Sequence, residues 1–294
     1  MRLYHDCLPC LLRGAIDAVR RVTPDEAVRE KVLRGVIDAA ARADFRRPPS
    51  LMAQTVHRLI REAAGSRDPY REAKDRTNRL ALELLPDLRR RVEASGDPFE
   101  MAARLAAAGN IIDLAAKSGL EEADVRTALD ESMGQALDPG AVAALRQAAV
   151  AARRILYIGD NAGEIVLDRL LVEQLGPDKV VFAVRGGPVM NDATVEDARA
   201  SGMAGLVEVI DSGSDAPGTI LEDCSEEFRR RFAEVDLVLA KGQGNYETLS
   251  GRTGRSGVFF LLRVKCPVIA RDTGCPVGSL VLAKEEPVQD AKST

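Results

Sequence analysis

Four stretches of this sequence set oxygen- and nitrogen-bearing side chains among glycines, each directly after a short apolar run. They are Gly159-Asp160-Asn161-Ala162-Gly163-Glu164, the segment from Arg185-Gly186-Gly187 to Asn191-Asp192, the segment from Asp211-Ser212-Gly213 to Gly218-Thr219, and Lys241-Gly242-Gln243-Gly244-Asn245. Asp and Asn oxygens are hard donors, suited to Mg²⁺, Mn²⁺ or a similar divalent cation. Asp160, Asn161 and Asp192 are the candidate ligands. Two close carboxylates repel unless a cation lies between them. The structural alternative is helix capping: Asp and Asn are preferred N-caps, and Glu164 stands where it would close a capping box with Asn161. Asp192, just ahead of a helix-like segment, has the same alternative. Lys241 before a glycine pair suits a phosphoryl oxygen, because glycines let backbone N–H groups approach an anion. A solvated lysine before a turn is its plain alternative.

Cys7-Leu8-Pro9-Cys10 is the other motif with chemical potential. At a helix start a thiol pKa falls, which allows redox or metal chemistry. One C-x-x-C is half a zinc site, however, and the remaining Cys224, Cys266 and Cys275, with His5 and His57, form no second half. The pair reads as structural, with a bound metal as its alternative. No G-x-x-x-x-G-K-[ST] occurs, nor a G-x-G-x-x-G after the first apolar run, which counts against a P-loop or dinucleotide enzyme.

These stretches need elements to position them. Before residue 150, apolar residues recur at helical spacing over 11–22, 25–41, 51–64, 72–92, 99–108, 121–133 and 140–152, with Pro86 placed to kink or split the fourth helix. Pro-containing breaks separate them. After residue 150, strand-like runs at 155–158, 180–184, 206–210 and 237–240 alternate with helical stretches, and 258–262, 268–270 and 280–283 also look β-like. That alternation indicates a mostly parallel sheet covered on both faces, in a Rossmann-like α/β/α sandwich. The expected organisation is a helical domain or pair of lobes over 1–150, a metal- and phosphate-binding α/β domain over 151–288, and a frayed tail over 289–294. Ligands bind beyond the carboxyl ends of parallel strands, where the four stretches fall.

Composition narrows the class. The chain has 294 residues, 46% hydrophobic, enough for a substantial core. Aromatics are only 4% with no Trp, and 41 basic residues mix with 45 acidic ones, so no nucleic-acid surface is expected. No apolar run approaches membrane-spanning length, and the first residues do not resemble a signal peptide. With five cysteines and no export signal, a reducing cytoplasm is expected.

At Gly159-Asp160-Asn161-Ala162-Gly163-Glu164 the chain resembles the metal-dependent damage-control phosphatase superfamily, formerly the protein-of-unknown-function 89 family. It is most similar to the prokaryotic branch with an N-terminal C-x-x-C. Other matching stretches are Asp68-Pro69-Tyr70 with Lys74 and Asn78, Gly109-Asn110-Ile111-Ile112-Asp113, Asn191-Asp192, 212–219 and Lys241-Gly242-Gln243-Gly244-Asn245-Tyr246-Glu247. The resemblance implies helical lobes plus an α/β sandwich, and activation by Mn²⁺, Co²⁺, Ni²⁺ or Mg²⁺. It implies hydrolysis of sugar phosphates or damaged phosphometabolites. Asp160, Asn161 and Asp192 map to the metal ligands and Lys241 to a phosphate ligand. Glu164, Asn245, Asn110 and Asp113 also fall in family motifs; on the chemistry of the residues themselves, Glu164 is expected to orient the water or act as base, Asn245 to bind substrate, and Asn110 and Asp113 to select its non-phosphate part. Direct water attack and a phosphoaspartate on Asp160 both remain open. The rival readings are a nucleotide- or S-adenosylmethionine-dependent transferase on the same kind of sheet and a non-enzymatic thiol or metal module at Cys7 and Cys10. The carboxyl methyltransferase activity ascribed to some relatives has no supporting glycine loop here.

Overall fold

In the computed structural model, residues 1–109, 111–112 and 122–285 are described. Among the described residues the sheet is preceded by the helices α1 (Cys7–Val22), α2 (Glu26–Ala41), α3 (Pro49–Ala64), α4 (Arg71–Ala94), α5 (Pro98–Ala108), α6 (Glu122–Met133) and α7 (Pro139–Ala151). Their starts are chemically defined. Asp25, Asp97 and Asp138 each accept backbone N–H bonds at the head of α2, α5 and α7, and Pro98 and Pro139 sit where no donor is needed. Pro86 lies inside α4 without splitting it.

The remainder alternates: β1 (Ile155–Ile158), α8 (Glu164–Leu175), β2 (Val180–Val184), α9 (Val195–Ala200), β3 (Glu208–Asp211), α10 (Glu226–Glu234), β4 (Leu237–Lys241), α11 (Gly242–Leu249), β5 (Val258–Arg263), α12 (Pro267–Thr273) and β6 (Leu280–Lys284). The sheet order is β3-β2-β1-β4-β5-β6. The first five strands are parallel and β6 runs antiparallel to β5. The expected strand at 268–270 is helix α12 instead. Pro267 at its first turn supplies a fixed φ and lacks only a donor the helix would not use, whereas in a strand it would break a ladder.

Side chains alternate strictly across the sheet. Ile155 and Tyr157 of β1, with Leu237 and Leu239 of β4, face one apolar cluster that also holds α4, α5, α6, α7 and α8. Leu156, Ile158, Val238 and Ala240 face the other, with Phe228 and Phe232 of α10, Tyr246 of α11 and Ile269 of α12. The first three helices keep a separate core around Val19, Val36, Val56 and Ile60. Among the described residues no helix is long and apolar enough to cross a membrane. The chain leaves β1 toward β2 and β3 on one side, then returns to build β4 and β5 on the other. The crevice between β1 and β4 is therefore the sheet's switch point, where ligands are held in folds of this type.

Candidate active site

Asp160 and Asn161 follow β1, and Lys241 ends β4, so all three flank the switch point. The second loop closes onto the first: Asn161 and Asp192 form an antiparallel bridge, and Ala193 N donates to Asp160 O at 2.8 Å. Gly159 leaves no room for a Cβ, which would come within 2.8 Å of the Phe182 ring, so β1 can turn out tightly beside β2. Met190 carries a positive φ of 46° directly ahead of Asn191 and Asp192, backbone strain of the kind found at functional loops.

Neither capping alternative forms. Helix α8 begins at Gly163 without a side-chain cap, and α9 is capped by Thr194 with Asp197 in a reciprocal box. Asn161 instead turns its Nδ2 to Asp160 Oδ2 and Glu164 Oε2, both at 2.9 Å, while its Oδ1 accepts from Asn191 Nδ2 at 2.8 Å.

Arg185, which the sequence offered only as part of a glycine-rich strand exit, is the hub of the site. It is 1% exposed. Its Nε donates to Asp192 Oδ2 (2.7 Å), Nη2 to Asp160 Oδ1 (3.2 Å) and Nη1 to Asn245 Oδ1 (3.0 Å). Asn245 in turn donates to Lys241 O and Gly159 O and accepts from Thr219 Oγ1, so that with Arg185 it joins all four loops.

Lys241 departs from its expected role. Its Nζ is fully buried and donates to Ala106 O (2.7 Å), Glu164 Oε1 (2.7 Å) and Asp168 Oδ1 (2.8 Å). A lysine has three N–H donors, so none is left for a phosphate in this arrangement. Asp168, on the same face of α8 as Glu164, also accepts from Tyr157 OH, and its Oδ2 has no partner among the described residues.

The linked network holds four buried carboxylates, Asp160, Glu164, Asp168 and Asp192, against two buried cations, Arg185 and Lys241. Arg185 already spans Asp160 and Asp192, but with all four carboxylates ionised the negative charge exceeds the positive by two, which burial resists. Burial, followed by the charges of Asp192 and Glu164, pushes Asp160 up to about 7. Burial pushes Asp192 up as well, and pushes Asp168 up to about 6. Burial also opposes ionisation of Glu164, yet the adjacent Lys241 outweighs it and holds that carboxyl below its ordinary range. A divalent cation matches both the missing charge and the hard-oxygen donor set. Among the described residues no three His, Cys, Asp or Glu side chains group as a ready-made ligand set. A metal here would therefore draw on the Asn161 amide oxygen as well as Asp160 and Asp192.

The whole of this network lies within residues 3–281, which match the family model of the damage-control phosphatase ARMT1-like domain. The chain belongs to that family. A damage-control phosphatase of Archaeoglobus fulgidus is 32% identical over 286 residues, covering 96% of this chain and 98% of the relative. One of Pyrococcus horikoshii is 31% identical, covering 97% and 99%. An uncharacterised Methanocaldococcus jannaschii protein is 33% identical, covering 97% and 96%. The crystal structure of a DUF89 family protein from Pyrococcus horikoshii superposes with a TM-score of 0.88 at 31% identity, over 97% of this chain and all of that one. The protein is accordingly a phosphatase with the mixed α/β fold of its family.

Within this damage-control phosphatase, a second lysine lies at the same rim. Lys265 follows β5, beside the exit of β4, and is exposed, with no salt bridge among the described residues. Its backbone N–H donates to Gln243 Oε1 at the head of α11 (3.3 Å), and its charge lowers the pKa of Asp160, Glu164, Asp192 and the half-buried Glu247. Sequence reading passed it over because the strand exits were counted only as far as β4. Cys7 and Cys10 open α1, and Cys7 lies close enough to Glu247 and Cys266 to feel their charges. All five cysteines are free, and Cys7 is half-buried, which raises its thiol pKa rather than lowering it as the helix start alone would. Asn110 and Asp113 lie outside the described residues.

Proposed function

We propose that this phosphatase depends on a divalent metal, Mn²⁺, Co²⁺, Ni²⁺ or Mg²⁺, held by Asp160, Asn161 and Asp192, and acts on sugar phosphates or damaged phosphometabolites. The observation that carries this reading is the buried double negative excess at the β1–β4 switch point. The names of the A. fulgidus and P. horikoshii relatives support the substrate class.

A bound cation supplies Lewis acidity toward phosphoryl oxygen and water. The chain supplies the rest. Arg185 and Asn245 hold Asp160 and Asp192 rigidly, so little reorganisation is needed when charge develops. Lys265 meets the phosphate from the open side of the rim. Lys241 keeps Glu164 ionised, and Glu164 orients a water or accepts its proton.

The test is phosphate release from a panel of phosphorylated metabolites, without added nucleotide, after chelation and after readdition of each metal. Expected is loss on chelation, recovery with at least one of the four metals, and loss of both turnover and metal binding in Asp160→Ala. Turnover indifferent to chelation, or intact in Asp160→Ala, overturns the assignment.

A further inference from the structure

Asn78 bonds to none of the carboxylates of Asp160, Glu164, Asp168 and Asp192, yet it joins the two loops that carry the proposed metal ligands. It is 2% exposed on α4, one turn beyond the fully buried Lys74. Its Oδ1 accepts the N–H of Gly163 at 2.7 Å, and its Nδ2 donates to Asp197 Oδ1 at 3.1 Å. Gly163 closes the loop bearing Asp160 and Asn161. Its φ is +77°, and a Cβ there would meet Thr77 Cβ at 2.9 Å, so that loop lies directly on α4. Asp197, with no exposure, accepts from Thr194 N at 2.9 Å and Thr194 Oγ1 at 2.8 Å, two residues beyond Asp192. It also pairs with Lys74 Nζ at 3.1 Å and with Arg71, and Lys74 reaches Asp68 Oδ2 at 3.0 Å.

One turn of α4 therefore grips both loops, and the grip needs an amide. Asn offers an acceptor and a donor on one planar group, one for each loop. A carboxylate would turn an oxygen toward Asp197, and an apolar residue would strand the buried Gly163 N–H and leave Asp197 Oδ1 with Arg71 alone. We propose that Asn78, with Asp197, is a positioning residue that sets the separation of the Asp160–Asn161 and Asp192 loops and thereby the metal affinity. This rests on the metal reading above.

The experiment measures Mn²⁺ affinity by calorimetry and amide exchange of residues 160–164 by mass spectrometry. It compares wild type, Asn78→Asp, Asn78→Ala, the exchanged pair N78D/D197N, Asp160→Ala and, as a destabilised control distant from the loops, Leu145→Ala in the α7 core. Expected is a loss of Mn²⁺ affinity of about 10–100-fold in both Asn78 variants, as for other residues that orient ligands. Exchange at 160–164 should be faster, and the exchanged pair, which restores the donor–acceptor match between positions 78 and 197, should recover affinity over Asn78→Asp. Leu145→Ala should lose stability without losing affinity. Unchanged affinity in folded Asn78 variants, with binding abolished in Asp160→Ala, overturns the proposal and leaves the metal site standing. If wild type and Asp160→Ala bind alike, the metal reading fails, and unchanged exchange at 160–164 overturns the brace as well. Should the single Asn78 variants not fold, N78D/D197N decides: wild-type affinity supports the brace, and a folded pair without Mn²⁺ affinity overturns it.

Discussion

Lys241 and Lys265 stand at neighbouring strand ends with the same charge, and their surroundings give them different work. Lys241 is enclosed, and burial is outweighed by Asp168 and Glu164, which raise its pKa. Removing it strands two buried carboxylates. Lys241→Met should cost about 3–5 kcal/mol, read from chemical denaturation. Lys265 is exposed and has little to stabilise. Lys265→Ala should leave the unfolding midpoint in place and raise KM for a phosphorylated substrate about 10-fold or more, as for loss of a charge-assisted hydrogen bond. A stable Lys241→Met protein with weakened phosphate binding, beside a silent Lys265→Ala, would return the phosphate to Lys241. The sequence could place both lysines at strand ends, but which is buried depends on distant groups: Glu164 and Asp168, four residues apart on α8, and the Ala106 carbonyl of α5. Arg185 escaped notice for the same reason, since two of its three partners, Asp160 and Asn245, come from other loops.

At the scale of elements, the site depends on how α11 begins. Gly242 has a φ of +77°, and a Cβ there would overlap Asp160 Oδ2. Gly251 has a similar φ of +71° with nothing within 4 Å of its would-be Cβ. The pair separates two effects. Gly251→Ala should cost only the backbone penalty, on the order of 1 kcal/mol, with turnover retained. Gly242→Ala should lose more stability than that and most of its metal-dependent turnover. Equal stability and activity in the two variants would show that the approach of α11 to Asp160 is not needed. Most elements were legible because their ends carry Asp-Pro or Pro signals, as in α5 and α7. Helix α12 was not, because Val268-Ile269-Ala270 is too short to show a period and its apolar residues match a buried strand equally well. Gly242 was visible as a glycine, but the carboxylate it must accommodate arrives from β1, eighty residues earlier in the chain.

At the scale of the molecule, the change of composition near residue 150 marks where strands begin; it does not say which helices share the sheet's core. Helices α4 to α7 do, while α1 to α3 keep their own. The latter are tied down by polar contacts, chief among them Asp215 in the loop after β3. Asp215 accepts from Gln54 Nε2 at 2.7 Å and pairs with Arg58 and Arg61 of α3. Burial raises its pKa, but hydrogen bonds from Arg58, Gln54 and Arg61 prevail and bring it down to about 2. A carboxyl depressed on folding stabilises fully above its ordinary value of about 4 and ceases to do so as pH falls to its folded value. The attachment should therefore weaken between about pH 4 and pH 2, by about 1–2 kcal/mol once the partial exposure of the arginines is allowed for. Amide exchange over α1 to α3 should accelerate in that window before exchange in β1 and β4 does. Asp215→Asn should show the faster exchange at neutral pH and a flatter acid response. If the variant's acid profile matches that of wild type, Asp215 is not the attachment, and Ser50, which donates to the half-buried Glu247 of α11, becomes the contact to examine.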